Sequence, residues 1–423
     1  MTETLKFFHL PLLNKHKIFN DPVYGFITIP YELIFDLIEH PYFQRLRRIT
    51  QLGLTNYVYP GANHTRFHHA LGALHLMDMA IGVLRYKGHK ISKKEAEAVS
   101  IGILLHDIGH GPYSHTLENC LIPGVSHEFL SEMFMAKLND IYKGRLSLAI
   151  DIFQDHYKKR FLHQLISSQL DVDRMDYLKR DSFFTGVQEG VISHDRIIEM
   201  LEIKNDRIVV EEKGIYSIEK FLVARRLMYW QVYLHKTVLV AEQLLVNILK
   251  RAKELSEMKV RVQASKPLEY FLKNNVTKKM FSESDEPLES FAMLDDMDVM
   301  SAVKSWMNHQ DKILSLLCRK LIERKLLKIE IKNEEFSAAK VERLKKEVKE
   351  KYNLQNSDQA EYFVFTSSTS NFAYDPEKSN INILYKDGSL KDVAKASDQL
   401  NVSVLSAPVV KYYLCYPKEV SPA

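Results

Sequence analysis

Histidine and aspartate are the side chains whose placement in this chain points to chemistry. Nine of its 17 histidines, His64, His68, His69, His75, His89, His106, His110, His115 and His127, crowd one stretch. Within it, the run Val99-Ser100-Ile101-Gly102-Ile103-Leu104-Leu105 leads straight into His106-Asp107. An apolar helix ending this way would bury an imidazole and an ionised carboxylate, at a cost of roughly several kcal/mol unless both are paired. Ligation of a cation accounts for that burial. Neutral imidazole plus carboxylate suits Mn, Fe, Co, Ni or Zn, and carboxylate with water also suits Mg. Adjacent helical residues point about 100° apart. His106 and Asp107 therefore reach one ion near the helix end, and two further ligands must come from other helices. His69 and Asp173, each beside apolar residues on a predicted amphipathic helix, are the natural candidates. Two imidazoles, two carboxylates and open water positions describe a catalytic site rather than a closed structural one.

The helix predicted around Asp173 sets Asp173, Tyr177 and Asp181 at i, i+4 and i+8, along one side. A later helix repeats the spacing with Arg225, Tyr229 and Tyr233. One face offers a metal ligand and acceptors for sugar hydroxyls; the other offers a cation and aromatic plates. Arg66, Arg174 and Arg225 can supply charge-assisted hydrogen bonds to a polyphosphate. His115 and Glu118 are three apart and can meet on one helical turn. A carboxylate there fixes the imidazole tautomer and raises its basicity, which suits acid/base work. His64 and His68 read as surface or supporting residues. His75, His163 and His235 read as ordinary part-buried histidines.

Arg66-Phe67-His68-His69-Ala70-Leu71-Gly72, Leu105-His106-Asp107-Ile108-Gly109-His110-Gly111-Pro112-Tyr113-Ser114-His115, His127-Glu128 and Asp171-Val172-Asp173-Arg174-Met175-Asp176-Tyr177 together resemble the HD-domain phosphohydrolases. With His40-Pro41-Tyr42-Phe43-Gln44-Arg45-Leu46-Arg47 and Gln51-Leu52-Gly53, the resemblance narrows to the deoxynucleoside triphosphate (dNTP) triphosphohydrolases, which include the sterile-alpha-motif and HD-domain enzyme. It implies one divalent ion on His69, His106, Asp107 and Asp173, and release of inorganic triphosphate from a dNTP. It also implies that Arg66, Arg174 and Arg225 hold the phosphates with help from Tyr177. Gln51 and Asp181 would bind the 3′-hydroxyl, and Leu52 and Tyr233 would pack on the deoxyribose. His115 would protonate the leaving oxygen or position water, oriented by Glu118, with His110 and His127 on the α-phosphate. The branch is commonly oligomeric, so a homo-oligomer, a tetramer by preference, is expected. Lys17, Asn20, Glu39, Gln44 and Arg47 would form an activating-nucleotide pocket. Other readings are an HD phosphohydrolase acting on a monophosphate, cyclic dinucleotide or alarmone, and a nucleotide-binding regulator whose HD site is only structural.

The elements that must position these groups read as mainly helical. Expected helices include one over Leu33–Ile38, one from Pro41, one from Arg66, and one over Lys93–Asp107 capped by Ser92. Others lie near 126–140, 145–155 and 162–181, with one long helix over 219–255. Arg207–Glu211 and Ile215–Ile218 around Lys213-Gly214 read as a hairpin, Gln263–Ser290 as polar and loop-rich, and Ala292–Leu326 as helical again. Strands are expected at Phe26–Pro30, Leu327–Lys332, Tyr362–Thr366, Ile381–Tyr385 and Tyr412–Tyr416, with a charged helix over Ser337–Tyr352. The fold class is thus a mainly α HD core with small β elements, residues 1–330, and a C-terminal α+β appendage, 331–423.

The chain has 423 residues, of which 46% are apolar and 26% charged, values ordinary for a globular protein. With 58 Lys plus Arg against 54 Asp plus Glu, the net charge of +4 excludes a polybasic character and gives nucleic acid no support as main partner. No uninterrupted apolar run approaches the ~18–20 residues of a spanning helix, and the first residues do not read as a signal peptide. Cys120, Cys318 and Cys415 lie far apart and read as reduced thiols. A cytoplasmic location without membrane contact is the expectation.

Overall fold

The computed structural model describes residues 17–113, 120–371, 374–375, 380–397 and 409–420. The fold is mainly α-helical with small sheets of two, four and three strands. A hairpin of β1 (Ile18–Asp21) and β2 (Gly25–Thr28) comes first. It begins earlier than the strand expected at Phe26–Pro30, because Asp21 Oδ1 closes the turn on the Val23 and Tyr24 amides at 2.9 and 3.0 Å. Next come α1 (Glu32–Glu39), α2 (Pro41–Gln44) and a 3-10 turn, Arg45–Arg48. α1 buries Leu33, Ile34, Leu37 and Ile38, the expected stripe.

The helical core is α3 (Arg66–Tyr86), α4 (Lys93–Leu105), α5 (His127–Ile141), α6 (Ser147–Phe153), α7 (Arg160–Ile166) and α8 (Val172–Thr185). α3 packs between α4 and α8. α4 starts at a reciprocal cap: Ser92 Oγ accepts from the Glu95 amide at 3.2 Å, and Glu95 Oε2 accepts from the Ser92 amide at 2.8 Å. α3 has the length and mean hydropathy of a spanning helix, although it lacks an uninterrupted apolar run. Its apolar window is 67% buried inside the protein, as a central core helix requires. The single helix expected over 162–181 is instead two, α7 and α8. Asp171 separates them by capping α8, accepting from the Arg174 and Ser168 amides at 2.8 and 2.7 Å.

α9 (His194–Glu199) leads to β3 (Leu201–Lys204) and β4 (Arg207–Glu211), which pair antiparallel across Asn205-Asp206. The hairpin expected around Lys213-Gly214 is therefore displaced, and Ile215 begins α10 (Ile215–Met228). The long helix expected over 219–255 is broken. A π-turn, Tyr229–Tyr233, in which the Leu234 amide reaches Tyr229 O at 2.7 Å, ends the first part. α11 (Lys236–Glu257) then departs at 56°. Such π-turns are frequent at functional sites.

Gln263–Ser290 contains three short helices rather than loops: α12 (Lys266–Lys273), α13 (Lys278–Glu283) and α14 (Glu286–Ala292). Their buried Leu268, Phe271, Phe281, Leu288 and Phe291 supply the apolar anchors that a polar average conceals. α15 (Asp296–Trp306) and α16 (Lys312–Ile322) follow. The remainder contributes β5 (Lys328–Lys332), α17 (Ala338–Tyr352), β6 (Phe365–Asn371), β7 (Asn382–Leu384), β8 (Leu390–Asp392), α18 (Val393–Ala396) and β9 (Val409–Tyr416). β6 starts later than expected because Tyr362 closes a 3-10 turn and hydrogen-bonds Glu254 of α11. β5, β9 and β6 form one antiparallel sheet. β7 instead pairs in parallel with β4, Val210 opposite Ile383, so the last part of the chain completes the four-stranded sheet β3-β4-β7-β8.

Candidate active site

α3, the end of α4 and the start of α8 converge on one point. His69 Nε2 lies 3.4 Å from His106 Nε2, and Asp173 Oδ1 lies 3.1 and 3.5 Å from the two nitrogens. Asp107 Oδ1 is 3.3 Å from His106 Nε2, and its Oδ2 is 3.7 Å from His69 Nε2. The four predicted ligands are thus together. The outer nitrogens are occupied elsewhere: His106 Nδ1 meets Ile103 O at 2.6 Å and His69 Nδ1 meets Asp176 Oδ2 at 2.7 Å. Both Nε2 atoms are left to face the shared centre. Their separation fits two nitrogens each ~2.1 Å from one divalent ion, so the residues present fit a metal of the imidazole–carboxylate class.

The support behind His69 is the part that sequence reasoning missed. Asp176 is fully buried and also holds Arg180, Nε to Oδ2 at 3.0 Å. Arg180 in turn reaches Asp21 Oδ2 of the β1–β2 turn at 2.7 Å. An i, i+4 Asp-Arg pair one turn beyond a ligand is the signal that could have found it. Burial works against the charged His69 ring. The hydrogen bonds and charge of Asp173 and Asp176 outweigh it, raising the pKa of the metal-free ring from 6.5 to about 10. A raised pKa stabilises the metal-free fold fully below about pH 6.5, and that contribution is lost as pH climbs through about 10. A cation must displace the same proton. We predict that apparent metal affinity rises about tenfold per pH unit between those limits. Calorimetry in two buffers of different ionisation enthalpy would count the protons released. A pH-independent affinity would refute this assignment.

The turn after His106-Asp107 is held from three sides. Ser131 Oγ of α5 donates to His106 O at 2.8 Å and accepts from the Gly109 amide at 2.9 Å. Arg45, fully buried, donates to Ile108 O at 2.7 Å. A Cβ on Gly109 would stand 2.2 Å from His127 O and 2.3 Å from Ser131 N, both backbone atoms of α5. Gly109→Ala is therefore expected to push α5 off the turn and cost about 1–3 kcal/mol. A denaturant midpoint matching wild type would contradict this close packing.

A cavity of about 390 Å³ adjoins the cluster. Arg66 lines it and pairs with Asp107. The Gln51 amide pairs with His64 O at 3.0 Å and the Arg66 amide with Ile49 O at 3.0 Å, which sets Gln51 and Leu52 beside the cavity mouth. Gln51 Oε1 is buried without a hydrogen-bond partner among the described residues. Tyr177, Asp181 and Tyr233 also line the cavity. Asp181 accepts from Tyr233 OH at 2.8 Å and meets His64 Nε2 at 2.7 Å. His64 is thus a buried support, stacked on Phe184 at 4.5 Å. Arg174 hydrogen-bonds Tyr177 OH at 3.4 Å. Arg225 is buried beside Tyr229, gives Nη1 to Gln169 Oε1 at 3.0 Å, and has no paired carboxylate among the described residues.

His110 stacks on His127 with ring centres 3.9 Å apart, and its Nε2 is 3.3 Å from Asp107 Oδ1. Burial, helped by the Arg66 charge, pushes its pKa down to about 3, so the ring is neutral at physiological pH. His115 and Glu118 lie outside the described residues. Of the residues expected to hold an activating nucleotide, Gln44 Oε1 accepts from Arg47 Nε at 2.9 Å, and Lys17 sits over the Phe35 ring at 4.2 Å. Asn20 and Glu39 are exposed. Asp296, another residue given no role from sequence, accepts from Thr50 N, Thr50 Oγ1 and Tyr113 N at 2.8, 2.7 and 3.0 Å. It ties the Gln51 segment to the turn that follows the metal ligands.

A helical scaffold that gathers two histidines and two aspartates in this order defines an HD-domain phosphohydrolase, and the chain belongs to that family. Residues 192–266 match the HD associated region. YwfO of Bacillus subtilis is 32% identical over 96% of this chain and 94% of its own. The crystal structure of a phosphohydrolase from Bacteroides thetaiotaomicron is 52% identical, with a TM-score of 0.92 over 95% of this chain and all of that one. The deoxynucleoside triphosphate triphosphohydrolase SAMHD1 homologue of Dictyostelium discoideum is 28% identical over 64% of this chain and 56% of its own.

Proposed function

We propose that this hydrolase cleaves dNTPs to deoxynucleoside and inorganic triphosphate. One observation carries the reading. α8 presents Asp173 at the metal cluster and, one and two turns on, Tyr177 and Asp181 in the adjoining cavity wall. A triphosphate's α-phosphorus, its sugar and the sugar's 3′-hydroxyl fit that order along one helix face.

A divalent ion held by His69, His106, Asp107 and Asp173 would polarise a phosphoryl oxygen and acidify a water. The chain's own groups do the rest. Arg66, Arg174 and Arg225 bind the phosphates and stabilise charge on their oxygens. Neutral His110 and its stacked partner His127 contact the α-phosphate. Asp181, fixed by His64 and Tyr233, accepts from the 3′-hydroxyl, with Gln51 completing that bond. Leu52 and Tyr233 pack on the deoxyribose. Water attacks the α-phosphorus, the bond to O5′ breaks, and the proton that O5′ needs is assigned to His115, oriented by Glu118. Lys17, Asn20, Glu39, Gln44 and Arg47 serve an activating nucleotide in a homo-oligomer, with a tetramer the preferred form.

Ion-exchange product analysis tests the reading. The metal-replete protein is given each dNTP singly and all four mixed, with Mn and with Mg. Deoxynucleoside and triphosphate are expected, and activity confined to mixtures would reveal the activator. Diphosphate, monophosphate or no product, with metal confirmed bound, would overturn it.

A further inference from the structure

Ser168-Gln169-Leu170 joins α7 to α8, and its shape is fixed locally. The Ser168 amide donates to Asp171 Oδ2 at 2.7 Å, and the Leu170 amide donates to Ser168 Oγ at 3.1 Å. This short turn holds two arginines. Ser168 O accepts from Arg174 Nε at 2.7 Å, and Gln169 Oε1 accepts from Arg225 Nη1 at 3.0 Å. Both guanidiniums lie close enough to act on the hydroxyl of Tyr177, which lines the cavity. Gln169 is buried, and its amide nitrogen faces the C-terminal part of the chain, donating to Asp375 O at 3.1 Å. Tyr374, fully buried, fixes that loop: its OH bonds Asp392 and accepts from the Ile381 amide at 3.1 Å. The same part of the chain reaches α10, the helix of Arg225, at a second place, where Ser397 Oγ donates to the buried Glu219.

A guanidinium only donates and a carbonyl only accepts, so these two neighbours dictate which way round the carboxamide sits. Its neutrality has a further consequence. Arg225 is 8% exposed, and its Nε has no hydrogen-bond partner among the described residues. A buried charge is costly unless paired, and a carboxamide orients this one without cancelling it. The charge is left for an anion that a ligand must bring. We propose that Gln169 is a positioning residue, which holds Arg225 for the substrate's phosphates and fastens it to residues 374–397. The C-terminal part of the chain thereby takes part in anion binding. The proposal rests on the reading of Arg225 as a phosphate-binding residue, and it adds what holds that residue in place.

Inorganic triphosphate, supplied as its Mg complex, probes the arginines without a nucleoside. Calorimetry on the metal-replete full chain should show Gln169→Leu binding it about tenfold more weakly than wild type, the worth of one hydrogen bond to a charged group. Gln169→Glu should bind it more weakly still, because the new carboxylate pairs Arg225 inside the protein. That same pairing should make Gln169→Glu unfold at higher urea than Gln169→Leu. A glutamine that only supports the fold predicts otherwise: affinity would follow stability. Tyr374→Phe tests the fastening. Tyr374 lines no part of the cavity, yet losing its OH should weaken triphosphate about threefold with Gln169 present and not at all in Gln169→Leu. Equal losses in both backgrounds would overturn the link to residues 374–397, and full affinity in both Gln169 variants would overturn the positioning role. A wild type that binds no triphosphate would overturn both. Triphosphate bound through Gln169, without its release from any dNTP, would keep the proposal and overturn the hydrolytic reading. Triphosphate release from dNTPs, with both Gln169 variants binding it as tightly as wild type, would overturn the proposal alone.

Discussion

Changing His106 and Asp107 together to alanine is expected to lower phosphohydrolysis by about a thousandfold or more, since a bound cation contributes several kcal/mol to such a transition state. Their donor atoms lie 3.3 Å apart and share the centre with His69 and Asp173. Elemental analysis should show bound divalent metal in the wild type and almost none in the variant. Asp173→Asn supplies a gentler arm: it keeps the shape of a ligand 3.1 Å from His69 Nε2 and removes its charge. It should lose metal and activity in proportion. Retained turnover after loss of the metal would mean that the reaction takes place elsewhere.

The largest effect on stability is expected at Asp176. Asp176→Ala strips a carboxylate from a fully buried arginine and leaves His69 Nδ1 without its acceptor. Removing one member of a buried ion pair typically costs about 3–5 kcal/mol. Asp176→Asn keeps the volume, and its expected signature is a 10–100-fold loss of metal affinity, typical when an imidazole loses its supporting carboxylate. Burial alone would raise the Asp176 pKa, but Arg180 and His69 hold it at about 2, below the ordinary 3.8. The stabilisation is therefore complete above the ordinary value and lost as pH falls toward 2. Urea titrations of the wild type and both variants, with and without metal, would check this. An Asp176→Ala midpoint equal to wild type would show that Asp21 suffices for Arg180.

The metal cluster was legible because its chemistry is local. An apolar run ending in His-Asp is costly to bury unless a cation pairs both groups, and the stripes of α1 and α3 follow helical spacing. What stayed hidden was set by partners far away in sequence. Arg180 reads as a surface charge until Asp21, on a hairpin 159 positions earlier, closes over it. The break between α10 and α11 carries no proline or glycine, so periodicity runs straight through it; the π-turn is recognised only by the bond from the Leu234 amide to Tyr229 O. Asp171 looked like one more polar residue of a helix, whereas its side chain ends the approach to α8 and starts the helix that bears Asp173. The stretch from 263 to 290 hid its helices because each is short and anchored by only a few buried apolar residues.

The parallel pairing of Val210 with Ile383 also sets a timetable. While the chain is being made, β3 and β4 emerge about 170 residues before the strand that completes their sheet. At roughly 5–20 residues per second, β4 waits about ten seconds or more with one edge unpaired, and such an edge is a template for pairing with another chain. The helices carrying His69, His106 and Asp173 are all synthesised before that wait begins. A nascent chain can thus assemble its metal cluster before its sheet is closed, and the open edge of β4 is where crowding on one messenger would first cause neighbouring chains to stick.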